Sequence, residues 1–499
     1  MDLVPGELRL RQLARNQHRP PTPVHLLGMP VRLVEREDQD LLQHLDHVVV
    51  GVVVVVQQHY PVERNQALLL DDFSFGRNRG LRHAVRPVCD IARRATSLPA
   101  ARISGLRIVH NGGLGSQRQP VYFDHHATTP VDPRVLEAML PYFGARFGNA
   151  ASRSHAFGWE AEKAVELARK RVAALAGAEP REIVFTSGAT ESNNLAIKGV
   201  MEAYRSKGNH LVTMATEHPS VLDTVRHLER QGCALAILPP EPDGLLSLDR
   251  LRRAIRPDTV LVSVMYANNE IGVIQPVREI GAICHEMGAL YHCDAAQAFG
   301  KLPLDVDRDH IDLISVTAHK IYGPKGAGAL YVRRRNPRVE VAAQLDGGGH
   351  ESGRRSGTLN VPGIVGFGEA CRICAEEMAV EARRIGALRD RLWLLLGSAL
   401  DRVSVNGSMA HRLPGNLHLT FAGVDGDALL TSLPDIAVSA ASACSSARVE
   451  ASHVLSAIGA PEGAALRFGL GRFNTQEEVD YVAARVIEAV RQLRALAPA

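Results

Sequence analysis

The segment Ile183-Val184-Phe185-Thr186-Ser187-Gly188-Ala189-Thr190-Glu191-Ser192-Asn193-Asn194 contains the unit from which the fold class follows. Its apolar residues predict a buried strand, small residues form a turn, and the polar residues after the turn begin a helix. Backbone N–H groups in such a turn, at the N-terminus of a helix, suit a phosphate. Turns that merely cap a helix are commoner, however, so this segment alone indicates an α/β unit and no ligand.

The same alternation of strands and helices continues downstream. A helix is predicted over residues 153–176, with apolar residues at spacings of three and four on one face, and another over residues 276–287. Further strand-like apolar runs lie at residues 210–213, 235–238, 260–264, 290–293 and 313–316. Strands that alternate with helices predict a mostly parallel sheet covered on both faces. Binding sites of such sheets form beyond the carboxyl ends of the strands.

Polar residues follow these strands at the edge where a site is expected. They include Glu217-His218-Pro219-Ser220, residues 268–272, Asp294-Ala295-Ala296-Gln297 and residues 317–326. Each group has an ordinary explanation as a surface histidine, a turn or a helix cap. Their convergence at one edge favours a binding site over these separate explanations. A lysine, an aspartate, a stacking histidine and a phosphate cup are the parts of a pyridoxal phosphate site.

Composition excludes several classes of protein. The chain has 499 residues, of which 45% are hydrophobic and 22% charged, so disorder of the whole chain is excluded. Its formal net charge of +3 is too small to indicate a nucleic-acid or membrane partner. Seven scattered cysteines do not resemble a disulfide framework, which favours a reducing compartment and a cytoplasmic location.

Residues 1–118 differ from the rest of the chain. They contain 16 Arg, no Lys and 11 acidic residues, show no sustained helical period, and include a valine-rich run at residues 48–56 that is too short to span a bilayer. Two interpretations are open. Translation starts further downstream and this segment is not made, or the segment is a poorly packed extension. The intact mass of the natively expressed protein distinguishes them.

From Val121 to about Thr475 the sequence resembles the cysteine desulfurases of the NifS/IscS group, which belong to the class-V aminotransferase-like, fold-type I pyridoxal-phosphate enzymes. No single string is decisive, but all occur in the order that the family shows. The matching strings are residues 122–130, 188–194, 268–272, 319–326, 355–358, 442–447 and 467–472.

The resemblance implies a domain organisation. A large pyridoxal-phosphate-binding domain with a mostly parallel seven-stranded sheet is expected over residues 134–378. A smaller α+β domain that carries the catalytic cysteine loop is expected over residues 379–499. Residues 119–133 are expected to form an arm that joins the small domain, and residues 1–118 to lie outside this organisation.

The resemblance also implies roles for individual residues. Lys320 is similar to the lysine that binds pyridoxal 5'-phosphate covalently. Asp294 would hold the pyridine nitrogen protonated, and Gln297 would contact the phenolic oxygen of the ring. His218 would stack on the ring and transfer protons, since an imidazole with an ordinary pKa suits both roles near neutral pH.

The phosphate and the substrate have their own implied contacts. Thr358 would reach the phosphate of the neighbouring subunit, which makes a homodimer part of the site. Asn269 and Arg467 would hold the substrate carboxylate, for which a guanidinium offers two parallel hydrogen bonds. The residues that would surround the phosphate are Ala189, Thr190, Thr317 and His319.

Cys444 would carry the reaction that distinguishes the group. Its thiolate would take the sulfur of L-cysteine as a persulfide and leave L-alanine, and small polar neighbours indicate a loop around it. The family also allows this cysteine to ligate an iron–sulfur cluster transiently. Elsewhere, Cys371 and Cys374 form a CxxC that favours packing over a zinc site. The other cysteines have no predicted role; Cys233, Cys284 and Cys293 are expected in the core, and Cys89 lies in the unusual N-terminal segment.

The predicted function is therefore that of a dimeric cysteine desulfurase that hands sulfur to an acceptor protein such as an iron–sulfur scaffold. A selenocysteine lyase, or another aminotransferase or lyase that depends on pyridoxal phosphate, is the alternative, since one fold hosts all of these activities. A non-catalytic sulfur carrier is a further alternative from a different class. Leu493 to Ala499 do not match the tail with which many relatives engage the scaffold, so the sequence leaves the acceptor open.

Overall fold

The computed structural model describes residues 24–26, 29–31, 119–440 and 452–496. Within the first unit of the chain, β1 (Val24–Leu26) and β2 (Met29–Val31) form an antiparallel pair. The predictions for Cys89, for the valine-rich run and for Cys444 lie outside the described residues.

The second unit contains a seven-stranded sheet. Its strands are β4 (Ile183–Thr186), β5 (His210–Met214), β6 (Ala234–Leu238), β7 (Thr259–Ser263), β8 (Leu290–Asp294), β9 (Leu313–Thr317) and β10 (Gly328–Val332), while β3 (Val121–Tyr122) precedes them outside this sheet. Their order is β4-β10-β9-β8-β7-β5-β6. The pairs from β9 through β6 are parallel, and only β10 runs antiparallel to its two neighbours. The predicted α/β class with a mostly parallel seven-stranded sheet is confirmed.

Helices cover both faces of this sheet. They are α1 (Pro133–Met139), α2 (Ala156–Ala176), α3 (Ala189–Ala203), α4 (Pro219–Arg230), α5 (Leu248–Ala254), α6 (Val277–Glu286) and α7 (Val361–Ala399). Alternate strand residues point to opposite faces: Ile183 and Phe185 pack with α2 and α7, whereas Val184 packs with α3 and α4. The burial of both faces explains why the strands are continuous apolar runs.

A further hydrophobic core is formed by Phe123 together with residues between Ile385 and Val490. It forms around a sheet of order β11-β12-β15-β14, and β13 pairs with β3 in parallel. Its elements are β11 (Val403–Val405), β12 (Asn416–Phe421), α8 (Gly426–Thr431), β13 (Ile436–Ala437), β14 (Ser439–Ala440), α9 (His453–Ile458), β15 (Ala464–Gly469) and α10 (Gln476–Leu496). The 39-residue helix α7 contributes to two cores. Phe367 packs in the core against the seven-stranded sheet, and Leu392 packs in the core around the four-stranded sheet. The predicted boundary at residue 378 falls inside this helix and stays a prediction.

Local details differ from the sequence predictions. The helix predicted from residue 153 begins at Ala156, because His155 is extended and its Nδ1 caps the helix by accepting from the Gly158 N–H at 3.2 Å. Cys233 is half-buried instead of lying in the core, whereas Cys284 and Cys293 are buried as predicted.

The CxxC cysteines Cys371 and Cys374 are both buried on α7. Burial raises the pKa of Cys374 to about 11, so its thiol is protonated at neutral pH. The described residues contain no cluster of metal-ligating side chains. Among their helices, none is long and apolar enough to cross a membrane.

Arg472 is the centre of a buried ion pair that we expect to stabilise the fold. Its Nη1 lies 2.7 Å from Asp132 Oδ2 and its Nε lies 2.5 Å from Glu381 Oε1, while its guanidinium stacks on Tyr322. Burial alone would raise the pKa of Asp132, but hydrogen bonds from Arg134 and Arg472 outweigh it and lower this pKa to about 2. The stability that the ionised Asp132 carboxylate adds to the fold is therefore complete above pH about 4 and is lost as the pH falls through 2.

We expect Arg472→Met to lower the free energy of unfolding at pH 7 by about 3 kcal/mol, because the buried carboxylate of Asp132 then keeps only Arg134 as its partner and the half-buried Glu381 loses its contact with Arg472. Urea denaturation measures this loss. Arg256→Met is the matched control: it breaks an exposed pair with Asp258 (2.6 Å) and should cost less than about 1 kcal/mol. Equal losses in the two variants would contradict a special role for the buried pair.

Candidate active site

A cavity of about 590 Å³ opens at the edge of the sheet where the parallel strands end. Its volume is in the range of pockets that bind cofactor-sized molecules. Ten of the predicted site residues line it: Ala189, Thr190, His218, Asn269, Asp294, Gln297, Thr317, His319, Lys320 and Arg467. The structure thus brings together residues that are up to 278 positions apart in the sequence, from Ala189 to Arg467.

One end of the cavity is suited to an anion. Helix α3 begins there at Ala189 after Gly188, and no side chain caps its N-terminus. The first N–H groups of a helix are good anion donors because the helix itself leaves them unpaired. Thr317, Lys325 and His319 line the same cavity. Burial, followed by repulsion from Lys320, lowers the pKa of His319 to about 4, so its ring is neutral at pH 7.

Asp294 ends strand β8 and its carboxylate is buried in the cavity wall. Oδ2 accepts a hydrogen bond from Asn193 Nδ2 at 2.7 Å, and Oδ1 accepts from the Ala296 N–H at 2.9 Å. These bonds fix the orientation of the carboxylate, so that it can hold a cationic N–H group of a ligand at a fixed position.

His218 occupies the N-cap position of α4, directly before Pro219. Its Nδ1 accepts from the Ser220 N–H at 3.1 Å and lies 2.8 Å from Ser220 Oγ. Burial lowers the pKa of His218, although the nearby carboxylate of Asp294 acts in the opposite direction. The neutral imidazole is therefore favoured in this structure.

Lys320 and Gln297 meet around the backbone of residues 126 and 127. Lys320 Nζ donates to the carbonyl oxygen of His126 and, at 2.7 Å, to that of Ala127. Gln297 Nε2 donates to the His126 carbonyl at 2.9 Å, and its Oε1 lies 2.9 Å from His126 Nδ1. Lys301 Nζ also reaches Gln297 Oε1, at 3.3 Å. The arrangement places a primary amine and an oriented amide on one side of the cavity.

Arg467 on β15 brings a guanidinium into the cavity although only 3% of the residue is exposed. Nη1 donates to the Asn269 carbonyl at 2.8 Å, and Nη2 donates to Asp124 Oδ1 at 2.8 Å and to Ser439 Oγ at 3.1 Å. Its buried Nε has no hydrogen-bond partner among the described residues. A ligand carboxylate could use the remaining donor capacity of this group.

Two predicted residues do not join this group. Thr358 is exposed and does not line the cavity, so its predicted contact to a neighbouring subunit stays a prediction. Cys444 lies outside the described residues.

Several polar residues at the site had no role in the sequence predictions. They are His126, Asn193, Ser220 and Lys301, which contact the predicted residues directly. Ser220 had a detectable signal, since it belongs to the polar group Glu217-His218-Pro219-Ser220 that follows the apolar run at residues 210–213. Lys301 had no such signal, because no local sequence pattern shows that its side chain contacts Gln297, four residues earlier.

Comparisons with known proteins identify the family of the chain. The aminotransferase class-V family pattern matches residues 121–482. A cysteine desulfurase IscS from Anaeromyxobacter sp. (strain Fw109-5) is 60% identical over 382 residues, which are 76% of this chain and 94% of the relative. A cysteine desulfurase IscS from Rickettsia rickettsii (strain Iowa) is 53% identical over 388 residues, 77% of this chain and 94% of the relative.

Solved structures show the same fold. A NifS-like protein superimposes with a TM-score of 0.70 at 37% identity, covering 75% of this chain and all of the other. A structure described as SspA in complex with cysteine gives a TM-score of 0.63 at 38% identity, covering 71% of this chain and all of the other. The chain belongs to the class-V aminotransferase family, a pyridoxal-phosphate-dependent family that includes the IscS cysteine desulfurases.

Proposed function

We propose that this protein is a pyridoxal-phosphate-dependent cysteine desulfurase that converts L-cysteine to L-alanine and leaves the sulfur on Cys444 as a persulfide. One observation carries the proposal: Lys320, Asp294, an uncapped helix N-terminus and Arg467 line a single cavity in a chain that is 60% identical to a curated cysteine desulfurase. The chain covers 94% of that relative, so the comparison extends over nearly the whole enzyme.

The residues present fit pyridoxal 5'-phosphate. The uncapped start of α3, with Thr317 and His319, offers donors for the phosphate, and Asp294 offers a fixed carboxylate for the pyridine nitrogen. Lys320 is the amine that would hold the cofactor covalently. When bound, the cofactor supplies an electron sink that stabilises negative charge on the substrate carbon atoms.

The side chains of the cavity would then orient the substrate. Arg467 carries the guanidinium that would bind the carboxylate of L-cysteine, and its contacts to Asp124 and Asn269 hold it in place before the substrate arrives. Thr358, by contrast, would act in the cavity of a neighbouring subunit.

Sulfur transfer is assigned to Cys444. Its thiolate would form an S–S bond to the substrate sulfur while the C–S bond breaks, with the electron pair of that bond passing to carbon. The carbon then takes a proton, so L-cysteine and one thiol give L-alanine and one persulfide without an external oxidant. The persulfide sulfur is released later to an acceptor thiol.

The described residues on either side of Cys444 support this assignment. Ser439 Oγ accepts from Arg467 at 3.1 Å, and Ser452 Oγ donates to Glu270 Oε2 at 2.5 Å. Residue 444 follows Ala440 by four positions, so covalent geometry keeps the two Cα atoms within about 14 Å of each other. A cysteine on this tether can reach the cavity that Arg467 lines.

We propose that the enzyme is a homodimer. Residues 140–159 expose a cluster of large apolar side chains, with Phe147 68% and Trp159 55% exposed and the Phe147 and Phe157 rings 5.2 Å apart. Contiguous exposed apolar side chains of this kind are typical of an interface, and a second copy would also bring Thr358 to a phosphate.

We expect the wild-type protein to sediment as a dimer and the double variant Phe147→Glu, Phe157→Glu as a monomer, because buried carboxylates oppose association. Leu394→Glu, which alters an equally exposed residue on α7, should remain dimeric. A monomeric wild-type protein, or a dimer in the double variant, would contradict this interface.

The remaining assignments are also proposals. The domain division at residues 119–133, 134–378 and 379–499 is supported by the two hydrophobic cores. Delivery of sulfur to an iron–sulfur scaffold, transient ligation of a cluster by Cys444 and a cytoplasmic location rest on the resemblance to the IscS enzymes and on the pattern of cysteines.

A substrate comparison tests the function. With a dithiol present, the holoenzyme should form alanine and sulfide from L-cysteine and should not consume a keto acid as amino acceptor. Amino transfer without sulfide would show an aminotransferase. Release of selenide from L-selenocysteine, with little sulfide from L-cysteine, would show a selenocysteine lyase.

A further inference from the structure

Asn193 and Ser220 connect Asp294 with His218 through a chain of hydrogen bonds. Asn193 is fully buried on α3, and its Nδ2 donates to Asp294 Oδ2 at 2.7 Å and to Ser220 Oγ at 2.8 Å. Ser220 Oγ lies in turn 2.8 Å from His218 Nδ1. Together they link two groups that face the cavity.

The direction of these bonds follows from the charge of Asp294. The carboxylate accepts hydrogen bonds only, so the side chain of Asn193 must present its NH₂ group and not its oxygen. The second N–H then occupies a lone pair of Ser220 Oγ. His218 Nδ1 accepts from the Ser220 backbone N–H at 3.1 Å, so it carries no proton to give to Ser220 Oγ, and the hydroxyl proton of Ser220 points at Nδ1.

A histidine nitrogen that accepts two hydrogen bonds carries no proton. In the neutral ring the proton must therefore be on Nε2, the nitrogen that remains for the cavity. We propose that Asn193 and Ser220 are positioning residues that hold His218 as the neutral Nε2–H tautomer, so that it acts toward the ligand as a hydrogen-bond donor and not as a proton acceptor.

The surroundings of His218 are consistent with this role. Burial of the ring and the cation of Lys320 favour the neutral form, and the carboxylates oppose it. The titratable groups that face the ring come from β8, from the turn after β9, from α9 and from α4 itself: Asp294, Lys320, His453 and Asp223. The carboxylates favour an imidazolium, and the hydrogen bonds that Nδ1 accepts act together with burial to keep the ring neutral.

Two measurements on the full-length holoenzyme test this inference, which rests on the proposed function only for its catalytic consequence. Selective ¹⁵N-histidine labelling identifies the protonated nitrogen of His218, with the resonance assigned by its loss in His218→Asn. Exchange of the imidazole C2 hydrogen, followed residue by residue with mass spectrometry, gives the pKa of the ring.

In the wild-type protein we expect Nε2 to be protonated and Nδ1 unprotonated at pH 7. Ser220→Ala removes one donor to Nδ1 and should raise the pKa of His218 by about 0.5–1 unit. Asn193→Ala should raise it as well, because the Ser220 hydroxyl becomes free to turn and accept from a protonated Nδ1. Ser220→Thr keeps the hydroxyl and should restore the wild-type value.

The matched control is Ser263→Ala. Ser263 Oγ forms an equally short bond (2.8 Å) to a buried histidine, His292, within the sheet and outside the cavity. This variant should leave the pKa of His218 unchanged.

The acidic limb of the kcat profile should move upward with the pKa of His218 in Ser220→Ala, while KM for L-cysteine is retained. A protonated Nδ1 in the wild-type protein, or no change of pKa in both Ser220→Ala and Asn193→Ala, would overturn the inference. The protonated nitrogen and the pKa are both measured on His218 itself, so these two measurements remain decisive even if the protein releases no sulfide.

Discussion

Lys320→Ala should release no measurable alanine or sulfide from L-cysteine, with a loss of turnover of at least about 10³-fold. The lysine follows strand β9 in the short turn Ala318–Lys320, and its amine is held in the cavity by the carbonyl oxygens of residues 126 and 127. The lining of the cavity also includes Lys325, but this exposed residue has no comparable hydrogen bonds to the described part of the chain. We therefore expect covalent cofactor attachment at Lys320 alone.

Borohydride reduction followed by peptide mass spectrometry measures the attachment directly. In the wild-type protein the peptide that contains Lys320 should carry the mass of the cofactor, whereas Lys320→Ala should carry none. Lys325→Ala is the matched control, because it removes a lysine of the same cavity and should still be labelled at Lys320. Label on Lys325, or full turnover by Lys320→Ala, would refute the assignment.

Cys444→Ala should retain the cofactor and its visible absorption while losing sulfide release by more than about 10³-fold. Among the described residues, the cavity is lined by residues within 126–326 and by Arg467, and we expect these residues to hold the cofactor, so the loss of the Cys444 thiol should leave their cofactor contacts in place. The variant lacks the thiol that takes the sulfur from the substrate in the proposed reaction.

Cys233→Ala provides the comparison for this variant. Cys233 is half-buried beside β6, far along the sheet order from β9 and β10, and burial raises the pKa of its thiol. Its removal should leave sulfide release intact. Loss of the cofactor band in Cys444→Ala, or equal loss of activity in both cysteine variants, would show that the thiol of residue 444 is not the sulfur acceptor.

The strands and the class of the fold could be predicted from the sequence because burial on both faces leaves unmistakable apolar runs. Residues 183–185, 210–213 and 313–316 lie in observed strands for this reason. The exact helix starts could not, since the first turn of α2 depends on a capping bond from His155 that a period of apolar residues does not encode. The antiparallel position of β10 between β4 and β9 could not be predicted either, because it depends on contacts between strands that are distant in the sequence.

The site was predictable where it lies at strand ends. Asp294, the last residue of β8, and Lys320, just after β9, follow apolar runs that fix their position at one edge. The contact of Asn193 with Ser220 joins two different helices, and that of Lys301 with Gln297 forms within a turn that the sequence does not predict, so only the folded chain reveals them. The assignment of Thr358 to a partner's phosphate came from the resemblance and awaits the test of the dimer.

The central claim is that L-cysteine loses its sulfur to a thiol of this enzyme, and a single-turnover experiment tests it most directly. Wild-type holoenzyme is mixed with L-cysteine in the absence of any reductant, and both the alanine formed and the intact mass of the protein are measured. We predict one alanine per active site and a protein heavier by one sulfur atom, located on the peptide of Cys444. Alanine without added protein mass, or added sulfur on a different cysteine, would contradict the account.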